Sequence, residues 1–319
     1  MIDKRINFWI ISCIVCIIVF KFIEFYNGFL PEEERTPVNY YCDSMFKEKM
    51  LELLKKKFDK AKYGYNHKPV FVDSIDDADI ILTENVDEVK NIEMQRIGWS
   101  PLIVAVSSNS EKQKNYTENG YIYSNSNGEA IMNFSLIIDD TLSGKWVDKI
   151  YCPRADSKEG EIFRKFLLVT VNGGSYPNDE ELMKFANSKV EKFLGSEVIF
   201  EMDDTADWLH KKNTLESEIC VFFENELTSA IEDNVLIVFP RDTVIRQWYY
   251  CLKNDDYELM NIIERKDFWN SYNTIDQILS YNNIRFNVHS GSFFVNVPNS
   301  FSYADIPSGS SLDVVIEEE

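Results

Sequence analysis

Apolar residues along this chain follow two rhythms. Short unbroken runs lie between turn residues at 38–42, 70–72, 80–82, 102–106, 198–200, 219–223 and 236–239. Runs of this length without alternation predict strands buried on both faces, as in a parallel sheet. Between them apolar residues recur at spacings of three and four, the helical period. Phe46, Met50, Leu53, Leu54, Phe58 and Ala61 share one face of a helix that Asp43 or Ser44 caps and that extends to about residue 62. Lysines crowd its last turns, where the helix dipole favours them. Residues 134–142 predict a second helix, stopped by Gly144. From Ile150 the chain passes through Pro153 and a polar turn into a helix ending near Val171; Asp156 caps it and Glu159 completes a capping box. Asn172-Gly173-Gly174 closes it. Asn178, with Glu181 three residues on, caps a further helix that Gly195 ends. Shorter helices are predicted at 204–211 and after Asn225, and two more between 255 and 281. Residues 107–130, rich in Ser, Asn, Gly and Tyr, predict irregular or hairpin structure, and 287–319 strand and loop with a frayed acidic end. Strands alternating with helices mean an α/β class with mainly parallel sheet.

The N-terminus departs from this pattern. Residues 8–20 form one apolar run behind Lys4 and Arg5. Adding Phe22, Ile23, Phe25 and Tyr26 brings it to the roughly 20 residues a spanning helix needs. Trp9 and Tyr26 suit the two interfaces, and the basic end stays in the cytoplasm, placing the rest of the chain outside. A cleavable signal peptide is the rival, but no small-x-small site follows the run. Ile10-Ile11-Ser12-Cys13 is lipobox-like, yet the apolar run continues past Cys13. Residues 1–26 are therefore read as an anchor or uncleaved signal, and 27–37, with Asn27, Gly28, Pro31, Pro37 and a run of Glu, as a solvated linker.

Composition narrows the function. The chain is 45% hydrophobic and 14% aromatic, enough for a substantial core. Its net charge of −20 argues against nucleic acid and against docking of the folded part on anionic headgroups. The three histidines, His67, His210 and His289, lie far apart, and no zinc-protease, nucleophile-elbow, Walker or Cys-x-x-Cys pattern occurs in the soluble part. No metal site and no cofactor are read from the sequence. Cys13 and Cys16 fall in the apolar run; Cys42, Cys152, Cys220 and Cys251 allow two disulfides in three connectivities, but Cys152 and Cys220 sit in core strands and read as free thiols. A hydrolase or transferase reading could use carboxylates such as the adjacent Asp203 and Asp204, which nothing beyond their adjacency favours; adjacent acids usually mark a helix N-terminus.

Several stretches arrive in a telling order: Ala78-Asp79-Ile80-Ile81-Leu82-Thr83, Trp99-Ser100-Pro101 leading into 102–106, Ile138 to Trp146, the stretch 150–168, Val221-Phe222-Phe223-Glu224-Asn225-Glu226-Leu227, Leu236 to Asp242, and Asp267-Phe268-Trp269-Asn270 on to Ile284-Arg285-Phe286. No one of them is specific; their order over about 38–290 resembles the type 2 extracellular solute-binding proteins, the two-lobed receptors of ABC importers. The resemblance implies an α/β, two-lobed, type 2 periplasmic-binding-protein-like domain with hinge strands, preceded here by the N-terminal transmembrane helix. Lobe one would be 38–105 plus 237–319 and lobe two 106–236. It implies a non-enzymatic receptor that captures a small molecule by lobe closure and presents it to an ABC permease.

Ligands of open α/β sheets sit outside the carboxyl ends of strands. That rule selects Asp43 and Ser44 after the first strand, Thr83 and Glu84 after the third, Ser107 and Ser108 after the first hinge, Asp156, Ser157 and Lys158 at the start of the 158–171 helix, and Glu224 with Asn225 after the return strand. Each also fits a helix cap or solvated turn. Oxyanion receptors of the resembled family present Ser-Gly-Thr or Ser-Ser at these helix starts. Here the turns read Asp-Ser-Lys-Glu-Gly and Cys-Asp-Ser. Carboxylates there repel anions, so a cationic or zwitterionic solute or a peptide fits better. The alternatives are a sensor or protein-interaction module that keeps the fold without transport, and an extracytoplasmic hydrolase using carboxylates.

Overall fold

The computed structural model describes residues 15–16, 32–58, 67–85, 92–107, 109–125, 128, 130–202, 218–227, 235–253, 257–264 and 272–286. The chain is mixed α/β and forms two compact units. Unit one comprises 1–83, 91–93 and 250–278; unit two comprises 84–90, 94–249 and 279–319.

Unit one is built on β1 (Thr36–Cys42), which pairs in parallel with β2 (His67–Phe71) on one side and β3 (Ile80–Thr83) on the other. β1 begins inside the stretch read as linker, because Thr36 and Pro37 already pair with His67 and Lys68. A 3-10 turn (Ser44–Phe46) leads into α1 (Lys47–Phe58), which buries Met50, Leu53, Leu54 and Phe58 at the predicted spacing. Asp43 occupies the cap position, but its side chain makes no capping bond. The acidic turn before β3 is less solvated than its sequence suggests. Asp79 accepts from the Asn39 N–H at 2.8 Å, and Lys253 Nζ donates to the carbonyls of Ile75 and Asp76 at 2.6 and 2.7 Å.

Unit two holds a sheet in the order β8-β7-β9-β4-β10-β6-β5. The strands are β4 (Gln95–Ser107), β5 (Ile122–Ser124), β6 (Ala130–Met132), β7 (Lys149–Pro153), β8 (Ile199–Met202), β9 (Glu218–Phe223) and β10 (Val235–Pro240). β4 lies at the centre and runs antiparallel to both β9 and β10, while β7 is parallel to β8 and β9. Every residue of β9 is buried, Glu218 included, and its apolar run from Ile219 to Phe223 is what a central strand requires. Alternate residues of β4 feed two cores. Leu102, Val104 and Val106 pack with Phe134, Phe163, Phe166 and Phe193; Ile103 and Ala105 pack with Cys220, Phe222 and Phe239. The helices of this unit are α2 (Ser110–Glu118), α3 (Phe134–Leu142), α4 (Lys158–Val171) and α5 (Glu180–Leu194). β11 (Ile245–Leu252) carries the chain from unit two into unit one, followed by α6 (Tyr257–Ile263) and α7 (Thr274–Tyr281).

Three local readings need correction. α2 forms within the stretch read as irregular; Asn109 caps it by accepting from the Glu111 and Lys112 N–H groups, and only Tyr116 is buried on it, so no apolar period announces it. The cap of α4 is Ser157, whose hydroxyl accepts from the Gly160 N–H at 3.0 Å; Asp156 pairs instead with Arg154, and the predicted Asp156–Glu159 box does not form. Asp179 caps α5, one residue after Asn178. β11 was not anticipated: Arg246 and Gln247 interrupt its apolar run, yet both are buried. Cys42, Cys152, Cys220 and Cys251 are free thiols. Among the described residues no helix is long and apolar enough to cross a membrane. The anchor at 1–26, apart from the exposed helical Val15 and Cys16, lies outside the described residues, as do the helix read at 204–211 and the tail from 287.

Candidate functional site

Unit two buries a guanidinium among carboxylates. Arg246 stands on β11 and is 3% exposed. Its Nε and Nη2 donate to the two Glu84 oxygens at 3.1 and 3.0 Å, and its Nη1 donates to Glu159 at 2.8 Å. Its Cζ lies over the rings of Phe223 and Trp248, 5.4 and 5.0 Å from their centroids. Burial alone lowers the pKa of Arg246, but Glu84, then Glu159 and Glu226, outweigh it and the net displacement is upward. The cation is therefore permanent, and its fork suits the bidentate partner.

Two of the stretches singled out from sequence meet on this cation. Glu84 immediately follows β3, and Glu159 sits in the first turn of α4. Glu84 is almost wholly enclosed, with both oxygens committed. Glu159 is 27% exposed and spends one oxygen on Arg246. Two carboxylates around one guanidinium leave the cluster with one net negative charge. Arg246 itself was missed: nothing in its local sequence distinguishes it from a surface arginine, and only its place amid Ile245, Trp248 and Tyr249 hinted at burial.

The neighbouring predicted residues serve local structure. Ser157 accepts from Gly160 and donates to the Arg154 carbonyl at 2.7 Å. Asp156 is exposed, and its pKa is held down first by the hydrogen bond from Arg154. Lys158 pairs with Glu161 at 3.4 Å. Gly160 lets the α4 backbone lie against the Arg154 carbonyl, where any Cβ would overlap it.

The remaining candidates lie elsewhere. In unit one the Thr83 hydroxyl donates to Asp43 at 2.8 Å, and Ser44 is exposed at the start of its 3-10 turn. In unit two Glu224, 2% exposed, receives Arg285 on both oxygens at 2.5 and 2.6 Å. Burial pushes the Glu224 pKa up against that partner. The Asn225 N–H donates to the Ser100 hydroxyl at 2.9 Å, and its side-chain oxygen is buried without a hydrogen-bond partner. Ser107 ends β4; Ser108, Asp203 and Asp204 lie outside the described residues. Among the described residues no group of three or more His, Cys, Asp or Glu side chains is placed to hold a metal.

No protein-family model matches the chain, and no curated protein matches it in sequence. Among solved structures it is similar to PstS from Borrelia burgdorferi, at 10% identity over 79% of this chain and 99% of that one, with a TM-score of 0.47. It is similar to the sulfate-binding protein SubI from Mycobacterium tuberculosis at 11% identity over 79% and 87%, TM-score 0.45. A Bordetella ferric binding protein matches at 14% identity over 84% and 91%, TM-score 0.46. Likenesses at this level assign this chain neither ligand nor activity.

Proposed function

We propose that the chain is a membrane-anchored, extracytoplasmic solute-binding protein of type 2 periplasmic-binding-protein form, which captures a small ligand by lobe closure and presents it to an ABC permease. One observation carries this reading: Glu84, selected as ligand-facing from sequence, and Glu159, next to the selected Asp156, Ser157 and Lys158, both pair with Arg246 within unit two. The order of the units supports it, since the chain leaves unit one at Thr83, builds unit two and returns at Tyr250 within a single strand. The lobe division drawn from the resemblance, 38–105 plus 237–319 and 106–236, sets its first boundary later and its second earlier than these crossings, since β4 and β10, which pair with each other, both fall in unit two.

The ligand class follows from charge. Glu159 retains an oxygen beyond its bond to Arg246, in a cluster with net negative charge. A cationic or zwitterionic solute gains from that carboxylate, and an anion is repelled by it. The test is a thermal-shift screen of the protein against amino acids, short peptides, polyamines, sugars and oxyanions. A ligand at about 100 times its dissociation constant stabilises by about 2.7 kcal/mol. A cationic or zwitterionic hit that Glu159→Gln abolishes is the expected result. An oxyanion hit of micromolar affinity overturns the charge argument.

A second reading has its own observation. Arg246 already satisfies both Glu84 oxygens from within the chain, so the cluster is complete without a ligand. That favours a sensor or interaction module of the same fold, and an empty screen would select it.

A further inference from the structure

The charge of this chain is not spread evenly, and unit one has a basic end. β1 and β2 are parallel, and Thr36 pairs with His67 at the start of both. α1 runs back against them. Lys47, its first residue, lies over the Phe71 ring at the end of β2, 3.6 Å from the centroid. Phe58, its last, packs against His67 with ring centroids 5.8 Å apart. The last turn of α1, with Lys55, Lys56 and Lys57, therefore lies at the end of unit one where β1 and β2 begin. Lys68 stands at the same end, on β2. Lys55 and Lys56 are exposed, and neither makes an ion pair among the described residues. Glu52, one turn back, is held by Lys49 at 2.9 Å.

The helix dipole accounts for lysines at a helix end, but not for their place beside the chain's point of entry. β1 begins at Thr36, and the stretch from Asn27 to Arg35 reaches at most about 30 Å even when extended. With residues 1–26 in the bilayer, this end is the part of unit one tied nearest to it. The net charge of −20 does not forbid contact there. At 0.15 M salt the Debye length is about 8 Å, so a surface senses the charges that face it and not those on the far side of the chain. Against the lysines stand Glu32, Glu33 and Glu34, in a 3-10 turn just before β1. They leave the end only weakly basic, too weakly to hold an untethered protein at a membrane. A tether changes that balance, because it makes the contact intramolecular.

We propose that the last turn of α1 docks unit one on the anionic headgroups of the bilayer that holds the N-terminal segment. The proposal rests on the anchored reading of residues 1–26 and adds a second contact to it. Docked this way, the opposite end of the strands, with Asp43 after β1 and Thr83 closing β3, points away from the bilayer.

The test uses the full chain reconstituted in vesicles of phosphatidylcholine alone, or of phosphatidylcholine mixed equally with phosphatidylglycerol. Flotation reads the anchor. A membrane-impermeant acetylating reagent, with mass spectrometry, reads access to Lys55 and Lys56, with Lys114 of unit two, 73% exposed, as the reference. Near an anionic surface each lysine is worth about fivefold in binding. Net of the three glutamates, acetylation of Lys55 and Lys56 should be about tenfold slower on the mixed vesicles, with Lys114 unchanged. The slowing should vanish as salt rises from about 0.01 M to about 1 M, and Lys55→Glu should remove it at Lys56. Flotation with both kinds of vesicle but equal acetylation on both overturns the docking while the anchor stands. Failure to float overturns the anchor and the docking with it. Slowing that survives high salt or Lys55→Glu overturns the role of the lysines. Equal slowing on phosphatidylcholine vesicles given soluble polyglutamate assigns this face to an acidic protein and overturns the lipid.

Discussion

Replacing Arg246 with methionine tests whether the buried cluster holds unit two together. Methionine keeps the length and apolar stem of the side chain but removes its charge and all three hydrogen bonds. Glu84, with a side chain 11% exposed, loses both donors and has little water to replace them. Glu159, at 27%, loses one bond and recovers part of its hydration. Removing one partner of a buried ion pair costs about 3–5 kcal/mol because the other charge stays behind unpaired. The cation–π contacts with Phe223 and Trp248 contribute about 0.5–2 kcal/mol more for a desolvated guanidinium. Rehydration of Glu159 offsets part of the total, so Arg246→Met is expected to cost about 3–4 kcal/mol. In urea, followed by tryptophan fluorescence, that is a midpoint shift of about 1 M at an m-value near 3 kcal/mol per molar. The double variant Arg246→Met with Glu84→Gln replaces the stranded carboxylate by a neutral amide and should recover at least about 1 kcal/mol. A loss below about 1 kcal/mol, or a double variant no more stable than the single one, refutes the cluster as a source of stability.

Three further outcomes follow from the local geometry. Ser157→Ala should cost about 1 kcal/mol of unfolding free energy as α4 loses its cap, while Asp156→Ala, at an exposed side chain that makes no cap, leaves the unfolding midpoint essentially unchanged; equal losses would put the cap back on Asp156. Gly160→Ala should cost more than about 4 kcal/mol or prevent accumulation of folded protein, since its Cβ meets the Arg154 backbone, and a loss under about 1 kcal/mol in a denaturation curve would contradict that contact. Burial, with Asp43 adding to it and Lys47 opposing, pushes the Cys42 thiol up to about 12, and burial with Glu201 does the same for Cys152. These thiols stay protonated when folded but ionise near 9 when unfolded, so their stabilisation is full below pH 9 and is lost as pH rises toward 12, by up to about 1.4 kcal/mol per pH unit for each. An alkaline series of denaturation midpoints reads this slope, and a flat profile above pH 9 would show that neither thiol is held protonated by the fold.

How much was legible follows from what each residue needs around it. The strands at 80–82, 102–106 and 219–223 and the helix Phe134–Leu142 could be read because their burial is encoded in runs or periods of apolar residues. α2 could not, because Tyr116 is the one buried residue among its nine and the helix is held by Asn109 and the Lys112–Asp148–Tyr116 contacts, which reach across 32 and 36 residues. β11 was hidden by the opposite problem. Its polar residues are buried, and a buried arginine looks like an exposed one until its partners are known. Capping at α4 was misread because Asp and Ser stand side by side and both are good caps; Arg154, two residues before Asp156, draws the carboxylate away and leaves the work to Ser157.

The same logic bears on the ligand. Acidic residues at the start of α4 disfavour an anion only if they are left unneutralised, and the structure sorts them into two kinds. Asp156 and Glu161 are neutralised locally, by Arg154 and by Lys165 with Lys158. Glu159 is different, because its partner Arg246 is shared with Glu84, which takes two of the three bonds. One carboxylate in this turn therefore keeps unspent acceptor capacity beside a fixed cation, and it is the one that sequence reasoning assigned to a capping box. The charge argument against anions narrows accordingly, from a diffuse acidic loop to one side chain. If Glu159→Gln converts the protein into an oxyanion binder, that single carboxylate was the barrier. If oxyanions remain excluded, the barrier is the chain's net charge of −20 acting at longer range, and it should weaken as salt shortens the Debye length from about 30 Å at 0.01 M to about 8 Å at 0.15 M.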